Sequence, residues 1–306
     1  MSYCYNKNNV VVGYYRPFFK NYFINSHNTI YRPGKWSCML PNNNLIICTT
    51  GKAGSSDFSA LISNNYVDYQ FQKNGQCFPL YTYEENNNQQ KTLFDSVNNN
   101  DEYIRRDGVT DFILERSRKQ YGNKVTKEDI FYYVYGILHS PTYRTTFAND
   151  LKKMIPRIPL VDDPKDFWKF SKAGQGLAEI HINYESVEPY KDVKVTGEES
   201  NYFKVEKMRF PKKDQKDTIL YNSKITIENI PAKAYEYVVN GKSAIEWIME
   251  RYQVTVHKDS GIKNDPNDWA DEVGNPRYIL DLLLSIINVS VQTVDIVNSL
   301  PELKFE

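Results

Sequence analysis

Charge of one sign, histidine, cysteine and long apolar runs are all scarce in this 306-residue chain, and each scarcity narrows its function. Basic and acidic residues stand at 38 each. No net field therefore draws the molecule to nucleic acid or an anionic membrane, and a polyanion must be held by local patches. The four histidines, His27, His139, His181 and His257, lack the spacing that sets two imidazoles on one helical face. Each is expected to be structural. The four cysteines, Cys4, Cys38, Cys48 and Cys77, form no C-x-x-C pair, which argues against zinc and against a disulfide framework and points to reduced thiols. The most apolar tract, Ile279 to Val291, is interrupted by Asp281, Ser285 and Asn288 and falls short of the ~20 apolar residues of a membrane span. No signal-peptide pattern precedes the first strand-like run. The expectation is a globular, cytoplasmic protein whose 41% hydrophobic content fills a real core.

What is present divides the chain in two. From Asn9 to Tyr83, short β-branched and aromatic runs ("NVVVGYY", "NLIICTT", "VDYQF", "QCFPLYTY") predict a sheet. The Asn-rich segment Glu84 to Asp101 has little to bury and predicts a long surface loop. Beyond it the period becomes helical. Ile130, Phe131, Val134, Ile137 and Leu138 share one face behind a cap at Thr126 with Asp129. Ser140 and Pro141 open a second helix with Tyr143, Phe147 and Leu151 inward, and a third begins near Asp163 and Pro164 with Phe167, Phe170, Leu177 and Ile180 on one side. Val205 to Ile230 returns to strand character, and "GKSAIEWIMERYQ" and "PRYILDLLLSIINVS" predict helices. The fold class is α+β: a β-rich lobe over residues 1–100, then a helix-hairpin and mixed α/β lobe over 101–306.

Catalytic signatures are missing. "TTGKAGSSDFS", Thr49 to Ser59, lacks the order of a phosphate-binding loop, so Gly51 and Gly54 predict a tight turn. Neither a G-x-S-x-G elbow nor a carboxylate pair beside a nucleophile stands out. Polyanion contact has more support. Lys152, Lys153, Arg157, Lys165, Lys169 and Lys172 form one basic run, offset in part by Asp162, Asp163 and Asp166. Lys204, Lys207, Arg209, Lys212, Lys213 and Lys216 form a second. In the connector "KKMIPRIPL", Pro156 and Pro159 hold the backbone extended, with Met154, Ile155, Ile158 and Leu160 expected in the core. Arg157 has two arrangements open to it: projecting outward, or pairing with Asp150 or Glu179.

Several blocks carry a family resemblance: "YYRPFF" at Tyr14, "SSDFSALI" at Ser55, "QCFPLYTYE" at Gln76, "IFYYVYGILHSPTYRTTFANDLKKMIPRIPL" at Ile130, "FWKFSKAGQGLAEIHINYE" at Phe167 and "SGIKNDPNDW" at Ser260. Together with "PRYILDLLLSIINVSVQTVDIVNSLP" they span nearly the whole chain. The sequence resembles the carboxy-terminal, target-recognising part of the single-polypeptide type ISP restriction–modification enzymes of prokaryotes. Phe19 stands where the resemblance implies an acidic residue after "RPF". The resemblance implies a module that grips double-stranded DNA, reads a short sequence and presents an adenine to a methyltransferase domain of the same chain. It also implies a nuclease and an ATP-dependent helicase-like motor elsewhere on the parent chain, with S-adenosylmethionine, ATP and Mg bound there and no cofactor in these residues. The rival expectations are a scaffold that couples methyltransferase to motor without touching bases, and a self-contained enzyme.

Overall fold

The structure is a computed structural model that describes residues 7–25, 44–51, 57–85 and 103–305. Strands come first: β1 (Val10–Arg16), β2 (Phe19–Ile24), β3 (Ile46–Thr49), β4 (Ala60–Ser63), β5 (Tyr66–Val67), β6 (Gln76–Pro79), β7 (Tyr81–Glu85) and β8 (Tyr103–Asp107). Helices follow: α1 (Asp111–Tyr121), α2 (Lys127–His139), α3 (Pro141–Thr146), α4 (Ala148–Leu151) and α5 (Pro164–Ile182). The last part mixes β9 (Lys194–Thr196), β10 (Ile219–Leu220), β11 (Thr226–Glu228), β12 (Val238–Val239), β13 (Lys242–Ser243), α6 (Ala244–Arg251), β14 (Thr255–Val256), β15 (Lys263–Asn264), α7 (Asn267–Glu272) and α8 (Tyr278–Asn298). The class is α+β, with small separate sheets in place of one large one.

One of these sheets organises the rest. Its order is β4-β3-β6, antiparallel throughout, and every residue of β3 and β4 is buried. Successive side chains on a strand point to opposite faces. Ile46, Cys48 and Leu61 accordingly join a cluster with Tyr184, Trp247, Leu283 and Ile287. Ile47, Ala60 and Ile62 join a second cluster with Phe131, Tyr135, Phe167 and Phe170. Both clusters draw residues from either side of residue 100. The same sheet sets Cys48 opposite Cys77, with Sγ atoms 3.7 Å apart and unbonded. Cys4 and Cys38 lie outside the described residues.

The β1–β2 hairpin turns at Pro17–Phe18, where Phe18 takes φ 58°. Proline presets the first corner, but the left-handed second corner is costly for a bulky L-residue. Burial offsets it: Phe18 meets the Tyr184 ring edge-on at 5.4 Å and Tyr237 at 6.2 Å. Arg16 is tied to the Gln70 carbonyl (2.9 Å), and Phe19, in the place of the implied acid, packs edge-on against Tyr252.

Helix limits follow local chemistry. Thr126 and Asp129 form the capping box of α2, and Ser140 both ends α2 and caps α3 through the Tyr143 N–H. The helix expected from Ser140 to Leu151 breaks at Phe147 into α3 and α4. Ile225 and Ile227 are buried at alternate positions along and beside β11, and Ile230 is buried beyond its end, after Asn229 takes φ 64°. Residues 201–218, read as strand-like, form no strand beyond a bridge between Arg209 and Leu220. In their place Asn222 and Asn267 side chains bond the backbone of 202–205. The Asn-rich segment connects β7 to β8, and residues 86–102 lie outside the described set. Helix α8 runs longer than its sequence pattern suggests and matches a membrane span in length and composition. Its Leu282, Leu283, Ile286, Ile287 and Val289 side chains are buried in the fold, which makes it a core helix.

Helices α2 and α5 touch backbone to backbone. A Cβ on Gly174 falls 1.9 Å from the Tyr132 carbonyl oxygen, and one on Gly136 falls 2.3 Å from that of Phe170. Beside this contact a buried polar chain links α2, α5 and α8. Thr293 donates to the Val289 carbonyl (2.7 Å), so its oxygen accepts from His181 Nε2 (2.9 Å), and His181 Nδ1 accepts from the Tyr135 hydroxyl (2.7 Å). His139 Nδ1 lies 2.9 Å from the Tyr135 carbonyl. Burial, with the nearby Arg144 guanidinium, holds His181 at about 3 and His139 well below the usual imidazole range.

Gly174→Ala is expected to lower stability by about 1–3 kcal/mol or more, because the obstacle is main chain and cannot rotate away; a denaturation midpoint equal to wild type contradicts the contact. Both histidines are neutral when folded and gain protons on unfolding below about pH 6.5. Stability should therefore fall as pH drops from 6.5 towards 3, by about 2 kcal/mol at pH 5 for His181 alone. Urea midpoints at pH 7.5 and 5 measure the loss, and His181→Gln should flatten it.

Candidate functional site

The proline connector is a strap laid on the second cluster. Tyrosines on α1, α2 and α3 hold its carbonyls: Tyr143 donates to Arg157 O (2.9 Å), Tyr133 to Pro159 O (2.7 Å) and Tyr121 to Val161 O (2.6 Å). Tyr133 also accepts from the Val161 N–H (3.1 Å). Burial pushes the Tyr121 and Tyr143 phenols up to about 12, so both remain donors across the physiological range. Ile158 and Leu160 pack on the core, as the sequence predicts. Met154 and Ile155 do not: both are exposed, beside a hollow of about 370 Å³. The chain has left α4 at that point, and the strap's apolar packing on the core begins only at Ile158.

Arg157 is exposed, and neither Asp150 nor Glu179 pairs with it. In the same run Lys153, Lys165 and Lys172 are exposed without an ion-pair partner among the described residues. Lys152 instead meets Asp57 (3.4 Å) and Lys169 meets Asp166 (3.0 Å). In the second run Lys204 pairs with Asp271 (3.4 Å), and Lys216 pairs with Glu246 (3.0 Å) while lying over the Tyr235 ring. Lys207, Arg209, Lys212 and Lys213 are exposed and have no ion-pair partner among the described residues. The first run lies on the strap and the outer face of α5, on the second cluster. The second run borders the first cluster, and no hydrogen bond or ion pair among the described residues joins the two.

A cleft of about 910 Å³ lies elsewhere, between the β1–β2 and β14–β15 hairpins. Its aromatic wall runs from Tyr22 over Trp269 (ring centroids 5.3 Å) to Tyr278 (6.4 Å). Its charges are internally matched: Lys20 with Glu185 (2.8 Å), Arg251 with Glu250, and Asp265 with Lys263 (2.8 Å). Sequence reasoning missed this cleft, whose walls come from segments more than two hundred residues apart. Among the described residues no cluster of His, Cys, Asp and Glu is built to hold a metal.

The type ISP C-terminal specificity domain matches this sequence over residues 1–282. The chain belongs to that family. Solved structures with similar folds include a nuclease-deletion mutant of the type ISP restriction–modification enzyme LlaGI in complex with a DNA substrate mimic: TM-score 0.81, 37% identity, covering 100% of this chain and 26% of that one. The ATP-dependent type ISP enzyme LlaBIII bound to DNA gives TM-score 0.86 and 37% identity over 100% of this chain and 19% of that one. A DrdV–DNA complex gives TM-score 0.84 and 27% identity over 99% and 29%. This chain therefore spans less than a third of the length of each of these three solved relatives. Comparison with curated proteins yields no match.

Tyr133→Phe removes the hydroxyl that both donates to and accepts from the strap. A loss of about 1 kcal/mol is expected, with faster hydrogen exchange at the Val161 amide. Unchanged exchange there contradicts the tethering role.

Proposed function

We propose that this specificity domain recognises a short sequence in double-stranded DNA and positions an adenine within it for a methyltransferase domain on the same parent chain. The observation that carries the reading is the likeness, over essentially the whole chain, to three solved enzymes whose structures are DNA complexes. The domain itself is non-catalytic in this reading. Nuclease, ATP-dependent motor, methyltransferase, S-adenosylmethionine, ATP and Mg belong to the rest of the parent chain, which works on DNA in the cytoplasm.

The electrostatics support a local grip. Phosphate contacts set register and base-edge contacts set sequence. Lys153, Lys165 and Lys172 suit phosphate, since an ammonium without a protein partner is free to displace a condensed counterion. Arg157 suits a base edge: a strap pinned through its own carbonyl leaves the guanidinium fork little backbone freedom to lose on binding, and that fork matches guanine O6 and N7. The self-neutralised Lys152, Lys169, Lys204 and Lys216 favour the second reading, a coupling scaffold that touches other domains and not bases.

In the full-length enzyme, Arg157→Ala is expected to cost about 1–3 kcal/mol of specific binding and relax the preference at one base pair. Lys165→Ala and Lys172→Ala are expected to weaken all sequences alike and to lower the salt slope by about 1 each. Competition binding across a randomised duplex library at several salt concentrations reads both. Binding unchanged in all three variants favours the scaffold.

A further inference from the structure

The cleft between the two hairpins is poorly suited to a DNA backbone. Its cations are already paired, and its lining holds three carboxylates, Glu185, Glu250 and Asp265, against Lys20 and Arg251. A phosphate entering it finds no free positive charge. At about 910 Å³ it falls in the ~300–1,000 Å³ range that encloses one small molecule and cannot take in a duplex.

What the cleft offers is flat and neutral. Tyr22 is 52% exposed with its ring against Trp269, leaving a face open to solvent. Around it stand three carboxamides, Asn21, Gln253 and Asn264, whose side chains have no hydrogen-bond partner among the described residues. Asn44, Asn222, Asn240 and Asn267 show the contrasting use, each spending its carboxamide on protein backbone. Rings able to stack, beside free groups that both donate and accept, are what a single unstacked nucleobase requires. Its π-face takes the ring, and its Watson–Crick edge takes the carboxamides.

We propose that this cleft binds one nucleobase drawn out of the DNA duplex, stacked on Tyr22 and Trp269 and read by Asn264 with Asn21 or Gln253. The inference rests on the DNA-recognition reading and adds to it a second mode of sequence reading, apart from the basic strap. Opening the duplex beside a methylated adenine is in keeping with that chemistry, because the target base itself must leave the stack.

The test uses the full-length enzyme and a set of duplexes, each carrying an abasic residue at one position of the recognition sequence. Tyr22→Ala is expected to weaken binding of the intact duplex about 5- to 150-fold, the range of one base–aromatic stack, with no change in salt slope. Tyr22→Phe should restore it. At one abasic position wild type and Tyr22→Ala should bind equally, and Asn264→Ala should relax base preference at that same position. Tyr22→Ala binding every duplex as wild type does, or weakening all of them by one factor, overturns the proposal; the latter marks the cleft as a docking surface for another domain. If wild type itself fails to distinguish recognition from scrambled duplex, the DNA-recognition reading fails instead.

Discussion

A short sheet buried on both faces is the constraint from which the rest of this structure follows. Strands β3 and β4 bury every side chain, so their alternation fills two cores at once. A shift of one residue in register exchanges the two sets, sending Ile46 and Cys48 into the helical core and Ile47 into the other. The sheet therefore has one workable register, and through it the helix pair α2–α5 and the α6–α8 region hold fixed places relative to each other. Buried polar links repeat the message. Tyr135, His181 and Thr293 join α2, α5 and α8, while Ser59 bonds Gln72 (2.9 Å) and Asn240 (3.1 Å) to tie β4 to the β12–β13 turn. Misplaced, those groups lose partners they cannot replace from water.

That rigidity matters for a surface proposed to read sequence. The strap is held by three phenols anchored in packed helices, and its prolines remove conformations that binding otherwise has to freeze out. The hairpin carrying Tyr22 is anchored by Phe18 at its turn and by the Arg16 contact to Gln70. Each candidate contact group thus stands on an element whose position the cores determine. Zero net charge fits the same picture, since a recognition module of the proposed kind needs selective local contacts more than a general attraction for polyanions.

Local features were legible in the sequence. The Thr126–Asp129 box, the Ser140–Pro141 junction, the Asp163 cap and the Ile225–Ile227 alternation each announce themselves within a few residues, as do the exposed lysines of α5. The helix α1 was missed although Thr110 caps it and Gly122 follows its end, because its mean character is polar and it buries only Ser117 and Tyr121. Nor did spacing reveal what depends on distant partners. Gly136 and Gly174 look ordinary until two helices meet at them, Cys48 and Cys77 are 29 residues apart yet face each other, and the cleft joins residues 12–22 to residues 250–278. The basic runs were visible, but which of their members are free depended on carboxylates such as Asp57 and Asp271 far along the chain.

The central claim is that a rigid two-core body offers its strap and its hairpin cleft to DNA. Hydrogen–deuterium exchange of the full-length enzyme, with and without its recognition duplex, addresses that claim directly. Within this domain the account predicts new protection confined to residues 154–161, 19–24 and 253–264, with β3, β4, α2 and α5 already slow and unchanged. Protection absent from those segments while the enzyme is saturated with DNA, or appearing only in other domains, contradicts it.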